Sequence, residues 1–152
     1  MTATRITRHI RASRARVYRA LVDEQAVTEW MVPTGMTSRV HDFDPRKGER
    51  FRISLTCDEP TGIGKTTAHT DTYHGRFVEL VPDAQVVEVV EFETADPAMQ
   101  GEMTITMSLA DAGGGTDLVA VLDALPPGLS VADNETGWRL SLEKLATLVE
   151  RA

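Results

Sequence analysis

Residues 130–151, SVADNETGWRLSLEKLATLVER, constrain this chain more than any other stretch. Trp138, Leu142, Leu145 and Val149 recur at i, i+4, i+7 and i+11, which places all four on one stripe of a helix. Arg139, Glu143, Thr147 and Glu150 fall beside or opposite that stripe, so one flank is wet. Ser130, followed three residues later by Asp133, can cap the first turn. Such a helix is roughly 30 Å long at ~1.5 Å per residue, about the width of a small domain. It needs a broad apolar surface to lie on, and the rest of the chain must supply it.

The upstream sequence reads as short strands and tight turns. Residues 5–11 alternate around Ile6 and Ile10 as a first strand, and Ser13 stands where a helix cap belongs. Val17, Ala20 and Leu21 give residues 14–22 a short apolar face. Asp23 opens a second short helix through Ala26, Val27 and Trp30, which ends before Pro33. Helices this short persist only when packed on something.

From residue 38 the period changes to two. Strands are expected over 38–43, over the alternation of Phe51, Ile53 and Leu55, over 70–80, over 85–92, over 101–109, and through Leu118, Ala120 and Leu122. Asp44-Pro45-Arg46-Lys47-Gly48, Val81-Pro82-Asp83-Ala84 and Asp111-Ala112-Gly113-Gly114-Gly115 are turn sequences, and residues 57–68 read as a loop. Short consecutive connections make the sheet antiparallel. The expected fold is α+β: a curved antiparallel sheet of about seven strands, two short helices, and one long C-terminal helix held against the sheet. A chain of 152 residues without repeat or linker reads as a single domain over 1–152.

Charge and cysteine content exclude several roles. A net charge of −7 argues against a general nucleic-acid binder, which would present a basic face. Arg5, Arg8, Arg11, Arg14, Arg16 and Arg19 form an acid-free N-terminal run that reads as a solvated face. The one cysteine, Cys57, excludes an internal disulfide and fits a reducing cytoplasm. It has no cationic neighbour in sequence that would make it reactive. No run approaches the ~18 apolar residues of a membrane span, and the N-terminus lacks a signal-peptide core. A cytoplasmic location is expected.

Five segments, in order, resemble a known family. They are Arg16-Val17-Tyr18-Arg19-Ala20-Leu21 with Trp30, then Phe43-Asp44-Pro45-Arg46-Lys47-Gly48-Glu49-Arg50-Phe51-Arg52, and Gly75-Arg76-Phe77-Val78-Glu79-Leu80-Val81-Pro82. Gly114-Gly115-Thr116 and Gly137-Trp138-Arg139-Leu140-Ser141-Leu142 complete the set. Together they resemble the domain related to the activator of the heat-shock-protein-90 ATPase, within the START-like superfamily that also holds polyketide cyclases and lipid carriers. The resemblance implies a helix-grip fold with a cavity between sheet and C-terminal helix. Val90 and Phe92 stand where tryptophans are common in the family, which implies a wider or less aromatic pocket.

Motifs that suggest other chemistry weaken on inspection. Gly62-Ile63-Gly64-Lys65-Thr66 looks like the end of a phosphate loop, but Glu59 replaces its first glycine and the next segment leads into a strand. His69, Asp71 and His74 suggest a metal, yet His74 has the opposite strand parity to the other two. No metal and no cofactor is expected. Glu88 and Glu91 have opposite parity, cannot form a facing pair, and read as edge or surface residues.

On the implied fold the ligand-contacting residues are Trp30, Met36, Phe51, Ile53, Tyr73, Phe77, Val90, Phe92, Met103, Met107, Leu122, Trp138 and Leu142. Flexible methionines suit a surface that repacks around a ligand. The first functional reading is a carrier or sensor of a small hydrophobic molecule, such as a lipid, a polyketide or an aromatic compound. An enzyme of cyclase or hydrolase type, using His74, Tyr73 or Asp123, is the alternative. A third is an interaction module that touches a chaperone or a second copy through its basic N-terminal edge. Gly137, one residue before Trp138, is expected to lie where a neighbour approaches too closely for a Cβ.

Overall fold

The computed structural model describes residues 3–32, 36–57 and 70–151. Gly62-Ile63-Gly64-Lys65-Thr66 and His69 lie outside the described residues. Strand β1 (Ala3–Ile10) leads into helices α1 (Arg14–Leu21) and α2 (Glu24–Trp30). Strands β2 (Met36–Phe43), β3 (Arg50–Cys57), β4 (Thr70–Val81) and β5 (Gln85–Phe92) follow. A 3-10 turn (Pro97–Met99), β6 (Met103–Ala112), β7 (Gly115–Asp123) and α3 (Val131–Glu150) complete the chain. Among the described residues the strands form one seven-stranded sheet in the order β1-β7-β6-β5-β4-β3-β2, with antiparallel neighbours throughout.

Turn chemistry and caps explain most boundaries. Gly113 and Gly114 both have positive φ and form a two-residue hairpin turn between the paired Ala112 and Gly115. That conformation matches the right-handed twist of the flanking strands. Ser13, Asp23 and Ser130 each accept a backbone N–H of the following first turn, so all three helices carry the cap the sequence supplies. Two register shifts, at Val40/Asp42 and Phe77/Glu79, are bulges that bend β2 and β4. The second lets Phe77 and Leu80 both turn toward the helix side, while Val78 between them is exposed.

The core lies between the sheet and the three helices. Trp138, Leu142, Leu145 and Val149 are buried, as their spacing requires, and Ala146 joins them. They meet Ile105, Met107, Leu118, Ala120 and Leu122 of β6 and β7 in one apolar cluster. The α1–α2 pair closes one end. The Trp30 indole donates to the Ala20 carbonyl at 3.0 Å and packs edge-on against Trp138 with ring centroids 6.4 Å apart. Lys144 of α3 donates to the carbonyl of Val32, which fastens the end of α2 to the long helix.

Several N-terminal arginines are engaged within the fold. Arg11 reaches Glu150 through its backbone N–H, Arg14 bonds Asp111 and the Asp83 carbonyl, and Arg16 bonds the Arg151 carbonyl. Gly137 departs from its expectation. It is exposed, and a Cβ there would meet nothing within 4 Å. The α3 axis holds it on the solvent flank, so its glycine answers no packing demand.

The helix orientation makes opposite demands on two leucines. Leu145 is 0% exposed and Leu140 is 51% exposed. Leu145→Ala is expected to lower unfolding free energy by about 2–5 kcal/mol and Leu140→Ala by less than about 1 kcal/mol. Urea unfolding of the two variants checks this, and equal losses would contradict the observed face.

Candidate functional site

A cavity of about 120 Å³ lies between the sheet and the helices. Its sheet wall consists of Phe43 on β2, Phe51 and Ile53 on β3, Tyr73 on β4, Glu88, Val90 and Phe92 on β5, and Met103, Ile105 and Met107 on β6. Its helix wall consists of Leu21, Val27, Trp30, Met31, Asn134 and Trp138. Strand alternation produces most of the first wall, and the β2 bulge between Val40 and Asp42 turns Phe43 inward beside it. Aromatic contacts stiffen one end. Phe51 lies 5.2 Å from Phe77 and 6.3 Å from Tyr73 between centroids, and Phe43 lies 5.6 Å from Phe77. Gly75 makes room for this stack, since a Cβ there would sit 2.7 Å from Cζ of Phe51 and 2.1 Å from the Val89 carbonyl oxygen.

Glu88 is the exception in an apolar row. It stands between Val86 and Val90 along β5, and its cross-strand partners are Phe77 and Ile105. Burial raises its carboxyl from 4.5 to about 7, because a low-dielectric surrounding disfavours the charged form. The carboxyl has no hydrogen-bond or ion-pair partner among the described residues, and it retains some accessible surface, as a group facing a cavity does. The neighbouring Tyr73 phenol is held well above its ordinary value, first by burial and then by the negative charge of Glu88. Asn134, in the opening turns of α3, donates to the Thr4 hydroxyl at 3.5 Å. The arrangement can hold or exchange one proton near neutrality and can bond a polar group on a molecule that is otherwise apolar.

Of the residues expected to contact ligand, Trp30, Phe51, Ile53, Tyr73, Val90, Phe92, Met103, Met107 and Trp138 line the cavity. Phe77, Leu122 and Leu142 do not; they are fully buried in the core behind it. Met36 pairs with Cys57 at the far end of β2 and is also outside the lining. The cavity is small and bears six aromatic rings, unlike the wider, less aromatic pocket that Val90 and Phe92 suggested. Trp30, Trp138, Phe43, Phe51 and Tyr73 supply the aromatic surface from other elements.

The three polar candidates part company. Tyr73 faces the cavity. His74 has the opposite parity and lies on the other face of the sheet, its side chain 47% exposed. There it meets Glu93 at 3.1 Å and Glu91 at 3.5 Å, and Arg52 binds Glu93 through two nitrogens. Asp123 ends β7 opposite Ala3 and Thr104, away from the cavity. Glu88 corrects the edge-or-surface reading: it is internal. Its parity with Val86, Val90 and Phe92 was the available signal, and Asn134, four residues before Trp138 on the same stripe, was another. Among the described residues no group of three or more histidine, cysteine or acidic side chains could hold a metal. No described helix is long and apolar enough to cross a membrane.

A bent antiparallel sheet gripping a C-terminal helix over an internal cavity is the helix-grip architecture of the START-like superfamily. Within it, residues 11–150 match the family described as Activator of Hsp90 ATPase homolog 1-like protein, and the chain belongs to that family. A crystal structure of a Chromobacterium violaceum protein is similar at 29% identity and a TM-score of 0.88, covering 99% of this chain and 98% of the other. An AHSA1-like protein from Aeromonas hydrophila superposes with a TM-score of 0.76 at 17% identity over 98% and 92% of the two chains. DynU16, a protein of the dynemicin biosynthetic locus, does so with a TM-score of 0.68 at 18% identity, over 98% of this chain and 47% of its own. No curated protein matches the sequence.

The raised carboxyl has a cost that depends on pH. Between pH 4.5 and about 7 the unfolded chain releases the Glu88 proton while the folded chain keeps it. Stability therefore falls as pH rises through that window, by about 3 kcal/mol in all. Glu88→Gln is expected to be more stable than the parent by about 2–3 kcal/mol at pH 8 relative to its difference at pH 4. Urea unfolding at the two values tests this, and a difference independent of pH would contradict it.

Proposed function

We propose that the protein binds a small, predominantly hydrophobic molecule in the cavity between the sheet and α3, as a carrier or sensor. The observation that supports this is the cavity itself: aromatic and methionine side chains from seven elements converge on it, with few polar groups. That is the usual composition of a small-molecule site. Its volume of about 120 Å³ bears on the size of the ligand. An engineered cavity of ~150 Å³ holds one benzene, whereas drug-sized ligands occupy ~300–1,000 Å³. A single ring or branched fragment fits this volume, and a long acyl chain or a multi-ring polyketide does not.

A catalytic alternative rests on Glu88 and Tyr73, two polar groups on one cavity wall, rather than on His74 and Asp123. A chaperone-contact role draws on the family's name, and three of the six N-terminal arginines that would serve it, Arg11, Arg14 and Arg16, already bond Glu150, Asp111 with the Asp83 carbonyl, and the Arg151 carbonyl.

Benzene is expected to bind and to shift the emission of Trp30 and Trp138, the only two tryptophans, which both line the cavity. Val90→Phe adds volume inside the cavity and should weaken binding at least tenfold while leaving the circular dichroism spectrum intact. Absence of any shift in the parent, or undiminished binding in the filled variant, would overturn the reading.

A further inference from the structure

The chemistry of the wall narrows the ligand class, an inference that rests on the binding role just described. We propose that the ligand is a small organic cation, a cyclic or branched alkylamine, and that Glu88 is its counter-ion within a cage of aromatic rings. Six aromatic side chains line the cavity: Phe43, Phe51, Tyr73, Phe92, Trp30 and Trp138. Among the described residues one carboxylate joins them, and no lysine, arginine or histidine does. Aromatic faces attract cations through their quadrupole, and an ammonium removed from water gains most from them.

Glu88 supplies the second, independent observation. An isolated carboxylate in an apolar row is costly unless something pairs with it. The described fold gives it neither a hydrogen bond nor an ion pair, while it faces the space a ligand would fill. Once Glu88 is ionised, above about pH 7, a neutral alcohol would satisfy one oxygen and leave the charge uncompensated. An anion would be repelled. A divalent metal ion needs several oxygen ligands, and Glu88 is the only carboxylate on the wall among the described residues. An alkylammonium meets all three conditions, since its nitrogen pairs with Glu88 and its hydrocarbon fills the ring-sized volume.

The pairing makes binding depend on pH in a defined direction. Among the described residues Tyr73 is the one other titratable side chain on the lining; Asn134 and Trp138 from α3, and Leu21, Val27, Trp30 and Met31 from the α1–α2 end, do not titrate. The Tyr73 phenol keeps its proton throughout the neutral range because burial and Glu88 both hold it high. Only Glu88, raised by burial to about 7, changes charge between pH 5 and 8, while an alkylamine stays protonated. Amine affinity should therefore fall by about 100-fold from pH 8 to pH 5.

Isothermal titration of the whole chain with cyclopentylamine and with cyclopentanol, matched in heavy atoms, tests the proposal. At pH 8 the amine is expected to bind at least tenfold more tightly than the alcohol, and its own affinity should fall about 100-fold between pH 8 and pH 5. Cyclopentanol should change by less than threefold. Glu88→Gln should reduce amine affinity to that of the alcohol or below, at both pH values. Equal affinities of amine and alcohol at pH 8 would overturn the cation assignment while leaving the cavity reading intact. Failure of both to bind would overturn both. If Glu88→Gln does not fold, the pH series on the parent protein decides, and a flat amine affinity refutes the proposal.

Discussion

The structure depends on the burial of one helical stripe against one face of a bent sheet. Trp138, Leu142, Leu145, Ala146 and Val149 of α3 are buried in one apolar cluster with β1 and the inward rows of β6 and β7, and α1 and α2 pack against the same helix. Each surface removes the other from water, which is the largest favourable contribution available to a domain of this size. The short helices follow from this pairing. Neither α1 nor α2 would persist alone, but the Trp30 indole bonded to Ala20 and packed on Trp138 locks both to α3.

The cavity follows from how that burial is incomplete. Bulges in β2 and β4 bend the sheet, and α3, one uninterrupted helix of 20 residues, lies across it. Near the first half of α3, Met103, Ile105, Tyr73 and Phe51 stop short of the helix and leave a ring-sized space. Toward the C-terminal half, Leu142, Leu145 and Val149 close the gap. One molecule is thus packed as a solid core at one end and as a lined pocket at the other. Glu88 lies on the pocket wall, where facing open space costs a carboxylate less than packing against hydrocarbon.

Much of this was legible in the sequence. The α3 stripe, the turn glycines Gly113 and Gly114, the helix caps and the alternation of Met103, Ile105, Met107 and Leu109 each carry a local physical rule, and each element formed accordingly. The pocket was legible only in part, because periodicity tells which face a residue takes and not how far along that face the packing closes. Leu142 and Trp138 share a stripe, yet only Trp138 meets the cavity. Phe77 and Leu122 likewise face inward but sit behind the wall. Gly137 misled because a glycine beside a buried tryptophan need not be buried; one residue of helical rotation carries it to solvent. Glu88 was passed over because an acid in a strand usually marks the wet face, although its parity was that of Val86 and Val90.

The central claim is that Glu88 sits inside a largely apolar cavity, enclosed enough to hold its proton near neutrality. Its direct measure is a carbon-13 NMR titration of the Glu88 side-chain carboxyl in the ligand-free protein, assigned by comparison with Glu88→Gln. A midpoint near 7 is expected, well above the ordinary 4.5. A midpoint at the ordinary value would show that water reaches the carboxyl freely, and the apolar surroundings of Glu88 between sheet and α3 would be contradicted with it.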